Sequence, residues 1–451
     1  MSESPASNRL VSLDVFRGMT IAGMVLVNNP GGSPVYWPLE HAEWHGLTPT
    51  DWIFPFFLFI VGVSISISLG KRVAEKVDAS AYWRIGKRAL SIYLFGAAIS
   101  IVPFFQFQAT DAPDPLKMLI WLSFTASLFF LLLRNFKIGA VLCVAALLGI
   151  AGLNLAVYNV VPYNYGTLRI FGVLQRIAVV YFITSIIFLY TTWKQQVGIG
   201  VVLLLFYWLI MTTIPVPGCE VTSIGDKACN LAAYLDRLIL TENHIWRGGK
   251  VYDPEGILST IPAIVTCISG VLTGKWLAGT QAASMPVSDD QTNALDKEMT
   301  RRLAACVPMF GFGVALLALG LIWNSYFPMN KALWTSSYVL ATSGLALLVL
   351  GFCYWLIDIQ GYKRWAKPFV IFGVNALPLF VFTGFFARMI AAYRVTGPEG
   401  TPISLGRWTM NNIFLPVFNP IDASLAFAIS FILLWLFLMW LLYRKQIYIR
   451  V

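Results

Sequence analysis

Charge is scarce in this sequence. Of 451 residues, 12% are Asp, Glu, Lys or Arg, about half the share of a soluble domain. Histidine is scarcer still, with three in the whole chain. The alternation of polar and apolar positions over about 10 residues that marks a membrane β-barrel is also missing. No strong internal repeat is visible, so an inverted-repeat transporter receives no direct support. Apolar residues are what the chain has in abundance: 58% of it is hydrophobic and 15% aromatic. The net charge of +10 is therefore not read as a nucleic-acid footprint, and no nucleic-acid partner is expected. In a membrane protein the question is which side holds the positive charge.

Apolar runs recur from end to end, each long enough to cross a hydrocarbon core of about 30 Å. They lie at 15–29, 52–70, 89–108, 116–133, 138–158, 172–191, 197–215, 256–274, 303–323, 333–357, 368–390 and 421–443. The expected fold class is all-α, a polytopic transmembrane helical bundle of about 12 spans in the lipid bilayer. The first run carries Asp14 and Arg17 at its start and no small-residue cleavage site after it, so it is read as a retained span. An even count puts both termini on one side. With an inside N-terminus, the inside segments hold 21 of the 32 Lys and Arg residues. Basic residues stay on the cytoplasmic side during insertion, so both termini are expected there.

The chain is expected to form a single transmembrane domain, 1–451. The longest outer loop runs over 216–255 and contains Cys219 and Cys229. An oxidising compartment predicts a disulfide between them. Cys143, Cys267, Cys306 and Cys353 lie in apolar runs and read as small core residues. The polar stretch 279–298 reads as a flexible cytoplasmic loop.

Two of the three histidines fall within one short outer segment, HAEWHGLTPTD (41–51). His41 can serve as a general base or nucleophile, because imidazole titrates near neutrality. Glu43, His45 and Asp51 are close enough in sequence to orient it. His41 and His45 stand at helical i, i+4 spacing, which would suit a metal. Two ligands are too few for a closed site, however, and no metal is expected. Just before this segment, Asn28 and Asn29 could donate to a developing oxyanion, or cap a helix end. Asp14 and Arg17 face each other at i, i+3. Arg176 could bind a phosphate. Asp253 and Glu255 precede an apolar run, where capping is the favoured reading. Asn330, Lys331, Trp334 and Asn375 also fall at span ends.

At these residues the sequence closely resembles the heparan-α-glucosaminide N-acetyltransferase family, bacterial homologues included. The resemblance is carried by RLVSLDVFRG (9–18), MVLVNNPGG and YWPLEHAEWHGLTPTDWIFPFFLFIVG (within 24–62), and TLRIFGVLQRIAVVYF (167–182). PVPGC (215–219), AAYLDRLIL (232–240), YDPEGILSTIPAIV (252–265), GVLTGK (270–275), MNKALWTSSYV (329–339) and the terminal YRKQIYIRV continue it. It covers nearly the whole chain except about 109–160, and 116–158 reads as an extra hairpin. The large lumenal N-terminal domain of the animal enzyme is not expected here.

The resemblance implies transfer of acetyl from cytoplasmic acetyl-CoA to the amino group of glucosamine or a related amino sugar at the outer face. It places the family's essential histidine on His41 and its critical asparagine on Asn28, and it includes Asp51. It does not require a histidine at 45, and Glu43 departs from its pattern. Acetyl-CoA contacts are assigned to Arg17, Arg176, Lys275, Lys331, Trp334 and Asn375. Sugar contacts are assigned to Glu43, Trp44, Asp253 and Glu255. A homodimer is a family-based expectation, and a bacterial inner membrane is the expected location. His41 would act either as a base for direct attack or as an acetyl carrier. Two other readings remain: an acyltransferase modifying an envelope polysaccharide, or an amino-sugar transporter.

Overall fold

The computed structural model describes residues 10–73, 78–156, 158–282 and 291–449. Arg9, residues 74–77 of the basic segment, residues 283–290 of the polar linker and the last two residues lie outside the described residues. The helices are α1 (Val11–Asn28), α2 (Ile53–Val73), α3 (Ala79–Ile101), α4 (Asp114–Leu132), α5 (Phe136–Leu155), α6 (Val173–Tyr190), α7 (Trp193–Thr213) and α8 (Leu231–Leu240). They continue with α9 (Thr260–Ala282), α10 (Gln291–Trp323), α11 (Ser336–Cys353), α12 (Lys367–Val374), α13 (Ala376–Ala392), α14 (Leu405–Thr409) and α15 (Pro420–Arg444). Strands β1 (Arg394–Thr396) and β2 (Pro402–Ser404) form a small antiparallel pair.

Among the described residues, ten helices are long and apolar enough to cross a membrane. The protein is a multi-pass helical membrane protein. Three expectations shift at their edges. The run 89–108 is helical only to Ile101, and its helix starts at Ala79 with Arg84, Lys87 and Arg88 aboard. The run 368–390 is broken at Asn375 into α12 and α13. The polar stretch 279–298 is not wholly a loop: its start belongs to α9 and 291–298 to α10. Polar composition does not stop a helix whose backbone bonds are satisfied internally.

By their internal contacts the described residues fall into two compact units. The first comprises Met1–Thr20, His41–Tyr93 and Phe171–Val374. Its centre is the pairing of α2 with α9. Glycines set that distance: a Cβ on Gly62 would lie 1.9 Å from the Cys267 carbonyl oxygen, and one on Gly270 1.9 Å from that of Phe59. Lipid tails are as apolar as leucine, so close backbone approach replaces the hydrophobic drive between such helices. Phe16, Phe56, Phe59, Ile60 and Val63 then pack against Met309, Leu347 and Leu350. The connection between α7 and α9 adds α8, begun by Asn230, whose side chain accepts from Ala233 N at 2.9 Å. Cys219 and Cys229 are bonded, with Cα atoms 5.8 Å apart.

The second unit comprises Ile21–Glu40, Leu94–Ile170 and Asn375–Val451. Here 116–158 folds as the hairpin of α4 and α5, closed by Ser127 Oγ donating to the Gly139 carbonyl at 2.7 Å. The end of α1 also lies here, and Asn29 Nδ2 donates back to the Val25 carbonyl at 2.8 Å.

Candidate active site

The segment 41–51 is built around a short turn. Pro49 opens a helical turn ahead of α2, and Thr48 and Asp51 cap each other. Asp51 Oδ2 accepts from Thr48 N at 3.1 Å, Thr48 Oγ1 at 3.0 Å and Ala42 N at 3.2 Å. The hydroxyl of Tyr338, on α11, donates to the Asp51 carbonyl at 2.6 Å. One carboxylate oxygen is thus consumed in fixing the loop. The other, Oδ1, faces His41 Nδ1 at 2.7 Å. The Asp51 side chain is 1% exposed and that of His41 51%. A buried, fixed acceptor therefore holds a ring that substrate can reach.

Lys331 completes the group. Its Nζ lies 3.0 Å from His41 Nδ1, 3.1 Å from Nε2 and 3.7 Å from Asp51 Oδ1. With Asp51 accepting, Nδ1 carries the ring hydrogen and Nε2 the lone pair. Lys331 Nζ stands against the ring, about equally near both nitrogens. Burial holds its ammonium below the ordinary lysine value, although Asp51 and Glu255 pull the other way. Its backbone is fixed by the turn Asn330–Thr335, in which Leu333 N donates to Asn330 Oδ1 at 2.9 Å and Thr335 N to the Asn330 carbonyl at 3.2 Å. The turn carries Trp334 at φ +53° and fully buried, a strained conformation for a bulky residue.

Behind the turn lies Arg176, fully buried. Its guanidinium sits 5.2 Å from the Trp334 ring centroid. Nη2 donates to the Gly256 carbonyl at 3.1 Å and to Ser259 Oγ. Nε and Nη1 have no hydrogen-bond partner among the described residues. Asp236, Asp253 and Glu255 supply negative charge around it. Asp236 accepts from Ile257 N at 2.9 Å. Its oxygens lie so close to Gly256 that a Cβ there would sit 2.0 Å from Oδ2. Burial pushes the Asp236 carboxyl up to about 7, with Asp253 adding to the rise while the Ile257 N–H and Arg176 oppose it.

The structure thus gathers His41, Asp51, Lys331, Trp334, Arg176, Asp253 and Glu255 within the first unit. It separates the rest. His45 does not share a helix face with His41, because 41–46 is not helical; its Nδ1 faces Asn330 Nδ2 at 3.4 Å. Trp44 Nε1 donates to the Ile224 carbonyl at 2.9 Å and its ring meets Tyr252 edge-on. Glu43 is exposed. Arg17 pairs with Asp14 at 3.2 Å and with Ser64 at 3.1 Å. Lys275 donates to Gln196 Oε1 at 3.1 Å, over the Phe188 ring. Asn375, in the second unit, binds the Ile447 carbonyl and Ile449 N. Asn28, also there, is exposed at the end of α1. Asp253 and Glu255 do not cap α9, which begins at Thr260; Asp253 Oδ1 instead accepts from Glu255 N at 2.9 Å. Sequence reasoning passed over Thr48, Tyr338 and Asp236. Only Thr48 had a local signal, the T-x-x-D capping pattern before an apolar run.

Residues 9–112, which include His41 and Asp51, match the family model of the heparan-alpha-glucosaminide N-acetyltransferase catalytic region. The chain is similar to the heparan-α-glucosaminide N-acetyltransferases. The mouse enzyme of that name is 28% identical over 419 residues, covering 83% of this chain and 53% of its own length. The human enzyme is 28% identical over 416 residues, covering 83% and 52%. The chain spans about half the length of the curated relatives it matches.

Proposed function

We propose that the protein is a transmembrane N-acetyltransferase that moves acetyl from cytoplasmic acetyl-CoA to the amino group of glucosamine or a related amino sugar at the outer face. The observation that carries this reading is the His41–Asp51 pair, 2.7 Å apart with Asp51 buried and His41 half exposed. A carboxylate on Nδ1 fixes the tautomer and stabilises the imidazolium that forms when Nε2 takes a proton. Nε2 can remove the proton of the acceptor amine, or accept the acetyl group itself and pass it on. Asn28 as oxyanion donor rests on the resemblance alone.

The coenzyme assignments divide by geometry. Arg176 and Trp334 are fully buried and serve as the frame behind His41. Arg17 and Lys275 are partly exposed and stay as contacts for the coenzyme phosphates. Within the first unit, Arg176 stands near the start of α6 and Lys275 contacts Phe188 near its end. Those two positions are about 18 Å apart along a helix axis at 1.5 Å per residue. A long donor could therefore lie with its phosphates at the Lys275 end and its thioester toward His41. Both termini are placed in the cytoplasm and the membrane is read as a bacterial inner membrane. A homodimer completes the assignment.

The test is acetyl transfer by the purified full chain from labelled acetyl-CoA to a panel of amino sugars. Turnover that falls by about a thousandfold in His41→Ala, with folding intact, is expected of a residue in this role. An amine attacks only when neutral, so the rate should rise with pH near neutrality. Normal turnover in His41→Ala would remove the assignment. Transfer to an envelope polysaccharide and to no amino sugar would change the acceptor. Uptake of labelled glucosamine into vesicles without acetyl-CoA would favour a transporter.

A further inference from the structure

Lys331 stands against the His41 ring. Its Nζ is 3.0 Å from Nδ1 and 3.1 Å from Nε2, the nitrogen left free by the bond to Asp51. The turn that carries it is held at Asn330, Leu333 and Thr335. The side chain itself has four rotatable bonds and is 22% exposed, so solvent and ligand can reach it. The neighbours that would steady a sugar ammonium, Asp51 and Glu255, act on this ammonium instead.

We propose that Lys331 is an internal acetyl acceptor, modified on Nζ by the site's own chemistry when no amino sugar is bound. This rests on the acetyl-transfer reading above. The neutral amine attacks the thioester carbonyl, or the acetyl group carried on Nε2. A C–N bond forms and the bond to the leaving group breaks. In direct attack the leaving group is the thiolate, and the proton lost from Nζ passes through His41 Nε2 to it. From an acetyl group on Nε2 the leaving group is the imidazole, the thiolate having departed when that acetyl was taken up, and the freed Nε2 takes the proton from Nζ. Burial, which holds the Lys331 ammonium below its ordinary value, enlarges the neutral fraction that can attack. The product amide carries no charge, cannot pair with Asp51 and remains beside His41, so the modified site is closed to acceptor. A bound amino sugar would displace Lys331 from Nε2 and protect it.

The experiment incubates the purified full chain with deuterium-labelled acetyl-CoA, without acceptor, and follows each lysine by peptide mass spectrometry. Lys331 should be labelled at least about tenfold faster than the exposed Lys227 and Lys250, because its amine is already positioned. Labelling at Lys331 should vanish in His41→Ala and slow when glucosamine is present. Preincubation with acetyl-CoA should silence the natural chain, and glucosamine present during the preincubation should preserve its activity. Labelling of Lys331 no faster than of Lys227, or equally fast in His41→Ala, would overturn the proposal. Acetylated glucosamine with unlabelled Lys331 would overturn it and leave the transferase reading standing. No transfer to either amine would end both.

Discussion

Lys117 and Lys331 each lie beside an aspartate, one in each compact unit. Lys117 Nζ is 2.9 Å from Asp114 Oδ1, one turn away on the same helix. It also donates to the carbonyls of Phe107 and Thr110 at 2.8 and 3.2 Å, and lies over the Phe107 ring. Asp114 Oδ2 accepts from Arg394 N at 3.0 Å. All three ammonium hydrogens are used, and the residue is 4% exposed. Lys331 instead shares one oxygen of Asp51 with a half-exposed histidine. Both pairs are charge in an apolar setting, where unpaired charge is expensive. The first is closed and can only hold the fold. The second keeps one imidazole nitrogen and one amine open to a ligand.

Asp51→Asn should sharpen that contrast most. The amide can no longer hold the Nδ1–H tautomer of His41, so transfer should fall about a thousandfold with the fold retained. A kcat within tenfold of the natural chain would show that Asp51 only shapes its loop. Next comes Lys117→Met, which leaves Asp114 without its cation. It should cost about 3 kcal/mol of stability, read as a lower apparent Tm, while kcat per folded molecule stays unchanged. Loss of kcat there would break the comparison outright.

A smaller effect is expected at Asp236, whose folded pKa of about 7 lies above the ordinary carboxyl value of 3.8. The folded protein keeps a proton that the unfolded chain has already released. That stabilisation is fully present below about pH 4 and is lost as pH rises to about 7. Asp236→Asn removes the dependence, so its Tm relative to the natural chain should climb between pH 5 and pH 8, by roughly 2 kcal/mol in free energy. A constant difference across that range would mean that Asp236 is ionised throughout. Last, His45→Gln should alter kcat by less than about twofold, since its ring contacts Asn330 and not the Asp51 pair.

Local pattern carried much of this. Hydropathy located the spans, because a chain that must satisfy its backbone in lipid has little choice but helix. His41 and Asp51 were legible as candidates from their shared loop, and T-x-x-D before α2 encodes the turn that fixes Asp51. Other features were not legible. Helical spacing made His41 and His45 look equivalent, and the loop that carries them is not a helix. Asn375 reads as a span-end residue and a coenzyme contact, and in fact breaks the run 368–390 and binds the backbone at Ile447 and Ile449. Arg176 reads as a phosphate ligand and lies fully enclosed behind Trp334.

Sequence alone determined that the chain is a helical membrane protein, that two of its three histidines share one short segment with Asp51, and which two cysteines share a loop. Tertiary structure decided which of those groups act together. Lys331 is 290 residues from His41, and nothing in either neighbourhood specifies the other. Hydropathy and capping are properties of adjacent residues, set by periodicity and by backbone groups that need partners. The meeting of an ammonium, an imidazole and a carboxylate depends on how close glycines let α2 approach α9, and on the turn that leads into α11.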